Sequence, residues 1–517
     1  MTATSQTLPE TTPVLIGVGQ YAERLDDQDY RALSPIDLAV RAARAALEDA
    51  AAADGEALGQ AVGVIATTRQ FENSVPGAPA PLGRSANFPR SVAARLGIDP
   101  GRAVLEVAGG QSPQHLVTEF AGEIAAGRHE VVLLAGSEAI STIRHLAGRG
   151  DRPDFSDDPG GDQEDRGFGL EDLRIPGGAE HGLVDMPTQY ALCEHARRAR
   201  AGVTPQEWAL GMGRLFAPFT RVAAGNPFSA APVQRTAEEL VAVTESNRMI
   251  ADPYPRYLVA RDQVNQGAAV LIASVGAARR LGVPEDRWVY LSGHADLRER
   301  SLLDRADLAE SPAAVMAVQH ALAVAGLGVE QLSYLDLYSC FPIAVSNVAD
   351  ALGLAADDPR GLTLTGGLPF FGGAGNNYSM HGIAEAVARV RADRGSFALV
   401  GANGGVLSKY SVGIYSTVPA PHRPDDSSTL QREIDAWAAP QQVAVADGPA
   451  RIEAFTIAHR RTGGLGIVVG RLERGDGRFL ATVPAEDLQA LLDSGEEPVG
   501  RRVVVRSTEA GNRVSVG

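Results

Sequence analysis

The sequence has little of what a covalent or metal framework needs. Its 517 residues include two cysteines, Cys193 and Cys340. They lie far apart and belong to neither a CxxC pair nor a cysteine–histidine cluster, which excludes a disulfide network and a zinc site of the usual spacing. No uninterrupted apolar run reaches the roughly 20 residues that a membrane-spanning helix requires. The opening MTATSQTLPETTP has no basic segment leading into an apolar stretch, so it does not read as a secretory leader, and a cytoplasmic location is expected. Excess positive charge is missing as well: the formal net charge is −16, which disfavours nonspecific attraction to nucleic acid and to anionic lipid. What remains is the composition of a globular chain, 44% hydrophobic and 21% charged. Its length exceeds what one hydrophobic core covers, so two or three domains are expected.

The hydrophobic pattern alternates between strand and helix periods. PVLIGVGQ reads as a buried strand, and SPIDLAVRAARAALEDA as a helix opened by Ser34–Pro35. AVGVIATT, RAVLEV and EVVLLAGSEA read as further strands, separated by the helices FPRSVAARLGI and PQHLVTEFAGEIAAG. This alternation predicts a parallel sheet covered by helices. The same grammar returns later, where Ser311–Pro312 opens SPAAVMAVQHALAVAGL before the strands LSYLDLYS and FALVGANGG, as an internal duplication would give. Between the halves, residues 141–248 are rich in Gly, Asp and Arg and read as an inserted loop domain. APAPHRPDDSS is a linker by composition, and ARIEAFTIAHR, GLGIVVGRLE, RFLATVP and GRRVVVRS beyond it suit a small antiparallel β-barrel. That segment lacks a row of stacking aromatics, which argues against nucleic-acid binding.

The duplicated halves, the inserted loop and five local strings together resemble the thiolase family, especially the thiolases related to sterol-carrier-protein fusions. The strings follow the family's order: RAVLEVAGGQSPQHL where thiolases carry their nucleophile, NQGAAVLIA for the DGAAA strand, DLYSCF for NEAF or HDCF, GGLPFFGGAGNNYSMHG for GGxxxxGHPxGxxG, and GANGG for CxGGG. The resemblance implies an α/β, five-layered αβαβα thiolase fold. Its N-terminal half would span 13–270, including the loop domain, and its C-terminal half 271–419, followed by a linker at 420–434 and an oligonucleotide-binding-type barrel at 435–517. It also implies an acyl-CoA ligand, with coenzyme A as part of the substrate, no tightly bound cofactor and no metal. A homodimer is expected, because thiolases generally pair through sheet edges.

Carried onto this chain residue by residue, the resemblance finds the chemistry altered. The nucleophile loop is Ala108-Gly109-Gly110-Gln111-Ser112-Pro113. Gly110 stands at the cysteine, so no thiol sits where a helix dipole would favour a thiolate. Ser112, near His115, is an alternative nucleophile, but serine before proline reads as a helix N-cap. Gly375-Asn376-Asn377 replaces GHP, and Asn376 can donate a hydrogen bond to an oxyanion but cannot take up a proton. His381, five residues on, is a further catalytic candidate that could reach the site if the helix start is displaced; its other reading is a histidine on a packed helix. Tyr338 takes the place of the other oxyanion-hole residue and keeps a donor. Cys340 matches the cysteine of HDCF, which implies an acid/base role; its other reading is a small buried hydrophobe. Ala402 replaces the last cysteine, while Gly375 and Gly404 keep the turns that shape the pocket.

Three functional readings follow. In the first the chain acts on acyl-CoA thioesters, as an acyltransferase or carbon–carbon bond enzyme, without an acyl-enzyme: Cys340 moves the proton, and Tyr338 and Asn376 hold the oxyanion. In the second it is a catalytically inactive acyl-CoA-binding or scaffold protein whose barrel docks a partner protein. The third, an ordinary thiolase with Cys193 as nucleophile, conflicts with YALCEHARR, which reads as a surface-facing helix of the loop domain.

Overall fold

The computed structural model describes residues 8–424 and 426–516; the first seven residues of the polar start, position 425 of the linker and position 517 lie outside the described residues. Along the chain the strands are β1 (Pro13–Ala22), β2 (Val64–Thr67), β3 (Arg102–Leu105), β4 (Val131–Glu138) and β5 (Glu164–Asp165). Two short strands, β6 (Met249–Ala251) and β7 (Tyr254–Pro255), come next, and β8 (Gln266–Ser274) follows. The second half supplies β9 (Tyr290–Arg298), β10 (Tyr334–Asp336), β11 (Phe397–Gly404) and β12 (Lys409–Ser416). Last come β13 (Gly448–Arg460), β14 (Gly463–Leu472), β15 (Arg478–Pro484), β16 (Arg502–Thr508) and β17 (Gly511–Ser515).

Both β4 and β8 are buried at every position, as strands covered on both faces must be. The first sheet runs β1-β8-β4-β2-β3-β5 and the second β10-β11-β12-β9. Each is mixed rather than parallel, which corrects the sequence expectation: β8 is antiparallel to both β1 and β4, and β12 to both β11 and β9. Periodicity reports that strands and helices alternate, but not which way a returning strand runs. The helices Ser112–Ala125 and Tyr378–Ala392 lie between the sheets, with Leu116, Val117, Phe120, Met380, Ile383 and Val387 in one core with residues of both. The helices Pro35–Asp49 and Pro312–Ala325 cover the outer faces, completing five layers. Duplication shows in detail: a Cβ on Gly17 would strike the Ala46 carbonyl oxygen beneath the first outer helix, and one on Gly293 the Ala321 carbonyl oxygen beneath the second.

The five C-terminal strands pair in a ring, β13-β14-β15-β17-β16 and back to β13. Four of these pairings are antiparallel; the closing contact, Thr482 opposite Arg513, is parallel. The helix Ala485–Ser494 contributes Leu488 and Leu492 to a core with Phe455, Val468 and Val505. The ring is joined to the body: β6 pairs with β13 at Ala251–Ala458, and His195 stacks on Phe455 with centroids 4.0 Å apart. Arg198 grips Glu497 through two bonds of 2.7 and 2.9 Å. Arg478, 1% exposed, donates to Glu453 at 2.6 Å and to the Leu303 carbonyl at 2.9 Å.

Two local expectations are overturned. Cys193 is fully buried rather than on a surface helix, because the helix Met186–Ala201 lies between the body and the barrel and has few exposed positions. Ser112 is not the N-cap of its helix: Gln111 holds that position with helical dihedrals, and the Ser112 hydroxyl donates to the Val107 carbonyl at 2.9 Å. No described helix is long and apolar enough to cross a membrane.

Because Arg478, itself buried, joins the barrel and the body through charge and carbonyl bonds, removing it strands its partners. Arg478→Ala should lower unfolding stability by about 3 kcal/mol, read by urea denaturation of the full chain; a change below ~0.5 kcal/mol would mean the joint does not contribute to stability.

Candidate functional site

The loops after β3, β10 and β11 meet the turn before the helix Tyr378–Ala392 around a cavity of about 770 Å³. Ala108, Gly109 and Gly110 form one wall; Tyr338, Cys340, Gly375, Asn376, Asn403 and Gly404 form the others. Phe71, Leu170, Leu173, Met186, Ile250 and Val259 make the rest largely apolar. Thus Gly110, Tyr338, Cys340, Asn376, Gly375 and Gly404, distant in sequence, meet in one place. Gln111, Ser112 and His381 do not line it. Gln111 folds across Gly109 and Gly404, in space that side chains on those two glycines would occupy. The His381 imidazole bonds Gln20 Oε1 through Nδ1 at 2.7 Å inside the packed layer, where burial pushes its pKa down to about 3.

No side chain fits at Gly110. A Cβ there would lie inside contact distance of the Tyr338 hydroxyl and 2.6 Å from the Asn403 carbonyl oxygen. The phenol therefore occupies the volume a nucleophile would need. Its hydroxyl makes no protein hydrogen bond among the described residues and borders the cavity; burial, then the neighbouring Cys340, push its pKa well above the usual phenol range. Tyr338 is consequently a neutral donor facing an apolar space.

Asn376 is committed to the scaffold. Its Oδ1 accepts from the Gly109 amide at 2.8 Å, and its Nδ2 donates to the Arg69 carbonyl at 2.7 Å and to the Ser74 hydroxyl at 2.8 Å. Both amide hydrogens are in use, so as arranged Asn376 has no donor left for an oxyanion. It braces the Gly109 turn, whose φ of +147° suits glycine. Behind Gly375, Glu138 is fully enclosed; burial raises its carboxyl well above the ordinary range, and Oε1 accepts from the Phe71 amide at 2.8 Å.

Cys340 is held by Tyr190, which no sequence motif singled out, and by Asn403 of the GANGG string. Its thiol donates to the Tyr190 hydroxyl at 3.4 Å, and the Asn403 amide approaches the sulfur at 3.8 Å. Tyr190 in turn donates to the Gly405 carbonyl at 2.9 Å, accepts from Asn403 Nδ2 at 2.8 Å and stacks on Phe341 at 4.2 Å. Burial pushes the Cys340 thiol up to about 12. Asn403, not Ala402, faces the cavity, as strand alternation along β11 requires; that parity was available in GANGG, whereas nothing in YALC marked Tyr190. Elsewhere, Glu106, His115 and Glu119 bring possible ligand atoms within 4.8 Å of one another, but the Arg166 guanidinium already bonds both carboxylates at 2.6 Å.

This architecture and this cavity define a thiolase-fold protein whose nucleophile position is closed. Residues 429–510 match the family model described as the thiolase-like protein type 1 additional C-terminal domain. Over its length the chain is similar to a monomeric SCP2-thiolase-like protein type 1 from Mycobacterium smegmatis, with 49% identity, 99% of this chain and 100% of that one covered, and a TM-score of 0.83. The chain belongs to the SCP2-thiolase-like protein type 1 family. It also resembles the Ltp2-ChsH2(DUF35) aldolase (20% identity, 80% and 99% of the chains, TM-score 0.56) and the acetyl-CoA acetyltransferase of Syntrophomonas wolfei (14%, 79% and 99%, TM-score 0.53). These two share the fold alone. No protein with a curated description matches the sequence.

Two outcomes follow from this packing. Gly110→Cys alone should cost about 1–3 kcal/mol, and the pair Gly110→Cys with Tyr338→Ala should be less destabilised than the two single changes summed, by about 1 kcal/mol in a double-mutant cycle of urea denaturation; strict additivity would refute the clash. In the native chain at pH 8 neither cysteine should react with iodoacetamide over hours, since Cys193 is raised to about 11 and Cys340 to about 12 and alkylation needs the thiolate. Labelling should become prompt in denaturant.

Proposed function

We propose that this protein binds acyl thioesters of coenzyme A in the 770 Å³ cavity and acts on them through hydrogen-bond stabilisation of an enolate, with no acyl-enzyme. The observation that carries the reading is the Tyr338 phenol standing in the nucleophile's place: a neutral hydroxyl, aimed into an apolar cavity, is suited to a thioester oxygen as it gains charge. Retro-aldol cleavage of a 3-hydroxyacyl thioester is the natural reaction class. The hydroxyl proton leaves, the Cα–Cβ bond breaks to give a carbonyl and a thioester enolate, and the enolate regains a proton at Cα. A neutral phenol or thiol can relay that proton, accepting one while giving up its own, so neither Tyr338 nor Cys340 has to stand ionised.

A second reading, binding without turnover, is favoured by two observations: Asn376 is saturated, and the Cys340 thiol is held at about 12. On either reading the chain is proposed to be a monomer, as the Mycobacterium smegmatis relative is described. Here β5 pairs with β3 at Val104–Glu164 and Leu105–Asp165, so the chain covers from within a sheet edge that a partner would otherwise meet.

Incubation with a panel of 3-hydroxyacyl- and 3-oxoacyl-CoA thioesters tests the proposal. The expected result is saturable binding by calorimetry, no acyl adduct by intact mass, and turnover of 3-hydroxyacyl substrates that falls on the order of 10²-fold or more in Tyr338→Phe. Binding without turnover selects the second reading, and no binding by any thioester rejects both.

A further inference from the structure

The chain has a single lysine, Lys409, among its 47 lysine and arginine residues. Its side chain is 11% exposed and borders both the cavity described above and a second one of about 680 Å³. The ammonium pairs with Asp172 at 3.0 Å and donates to the Gly169 carbonyl. The Ser408 hydroxyl donates to the other Asp172 oxygen. Gly405, with a φ of +61°, leaves the space this carboxylate fills: a Cβ there would strike both Ser408 Oγ and Asp172 Oδ2. An ammonium, a hydroxyl and a bare glycine therefore surround one carboxylate where the two cavities adjoin: Gly405 and Lys409 line the apolar one, and Asp172, Ser408 and Lys409 the second.

A strap of chain supplies that carboxylate. Gly167 and Gly169 turn through φ of +79° and +62°, and Leu170 and Leu173, on either side of Asp172, line the cavity. The root of the strap is tied by uncharged carbonyl acceptors as well as charge: Arg69 donates to the Gly167 carbonyl at 2.9 Å and to Asp165, and the Ala108 amide to the Phe168 carbonyl at 3.0 Å. At Asp172 the side-chain attachment is electrostatic, and another anion can compete for it. Lysine suits such an exchange better than arginine, because a compact ammonium on a flexible stem can follow a new anion, whereas a guanidinium fork is matched to a fixed bidentate partner.

We propose that Lys409, Ser408 and Gly405 form an anion-binding subsite of the cavity, which Asp172 fills here and which the anionic end of a ligand takes over, freeing the strap. The proposal rests on the acyl-thioester reading and adds a substrate class: thioesters whose second anionic group reaches this corner, either a carboxylate at the far end of the acyl chain or a phosphate of the coenzyme.

Calorimetry on the full chain with glutaryl-CoA, pentanoyl-CoA and glutaryl-pantetheine, which lacks the nucleotide phosphates, separates the sources. In Asp172→Asn, which removes the internal competitor, affinity should rise about tenfold for both glutaryl probes if the carboxylate is the anion, or for both coenzyme A thioesters if the phosphate is. Lys409→Met should abolish the gain. Because Lys409 is the only lysine, acetic anhydride labelling read by peptide mass spectrometry reports on it directly, and decides the matter should Lys409→Met not fold. In Asp172→Asn, free glutarate or inorganic phosphate should slow that labelling at least threefold. Thioester binding with no gain for any anionic probe, or no protection by either small anion, overturns the subsite. Protection by a small anion with no binding of any thioester keeps the subsite and rejects the thioester reading instead.

Discussion

Two side chains cannot share one volume, and in this site the volume belongs to Tyr338. Any β-carbon at Gly110 would collide with the phenol and with the Asn403 carbonyl oxygen, so the bare glycine and the large aromatic are a single packing solution. The rest of the site is arranged around it. With no thiol to activate at that turn, the position held by histidine in thiolases is occupied by Asn376, whose amide braces Gly109, Arg69 and Ser74. The one thiol in the cavity, Cys340, is held by Tyr190 and Asn403 as a neutral donor. Each substitution would look like a separate loss in a motif comparison; in three dimensions they form one rebuilt, internally hydrogen-bonded wall.

The barrel takes part in that wall. The helix Met186–Ala201 presents Met186, Pro187 and Tyr190 to the cavity, and His195 and Arg198 to the barrel. One turn before β7, strand β6 sends Ile250 into the cavity while pairing with β13 through Ala251. Elements that shape the ligand space therefore rest directly on the barrel, and a shift of the barrel has two routes, one helix and one strand, to the apolar lining. This is more than a detachable docking module would show, and it gives the additional domain a structural role in the site whether or not it also meets a partner.

Much of this was legible in the sequence. The alternating periods of 2 and 3.6 residues located the strands and helices, since burial of β4 and β8 on both faces demands unbroken apolar runs and helix packing demands spaced ones. Ser34 caps its helix by the predicted grammar, with a full capping box to Asp37. The same Ser-Pro grammar failed at Ser112, because the preceding Gln111 is already helical and the serine hydroxyl turns back to Val107; a cap depends on backbone angles that the dipeptide does not fix. Cys193 misled for a related reason. Its helix is rich in Arg, His and Glu, which reads as a wet face, yet His195 and Arg198 are buried against Asp252 and Glu497 of neighbouring elements. Charge counts report polarity, and only the fold reveals that the polar partners are supplied from elsewhere in the chain.

The electrostatics of the cavity explain why restoring sulfur would not by itself restore thiolase chemistry. A thiolate forms where a helix dipole, a cation or a base favours the charged state over the thiol. Here desolvation is the leading influence on Tyr190, Tyr338, Cys340 and Glu138, and it raises all four; the two phenols and the thiol, already protonated at neutral pH, keep their protons. His381 is the exception in sign only: it is lowered to about 3 and stays neutral by losing its proton. Of the charged residues lining the space, Lys409 pairs with Asp172 and Asp262 with Arg144, while the Arg261 guanidinium donates to the Gln263 carbonyl at 3.2 Å. The wall around Tyr338 and Cys340 can share hydrogen bonds with a developing charge, but burial and hydrogen bonds, not a neighbouring cation, set the Cys340 thiol, so a resident thiolate is not stabilised beforehand. Covalent catalysis needs that anion before the substrate reacts, whereas enolate chemistry needs stabilisation only while the charge is on the substrate, and the neutral donors of this cavity are matched to the second requirement.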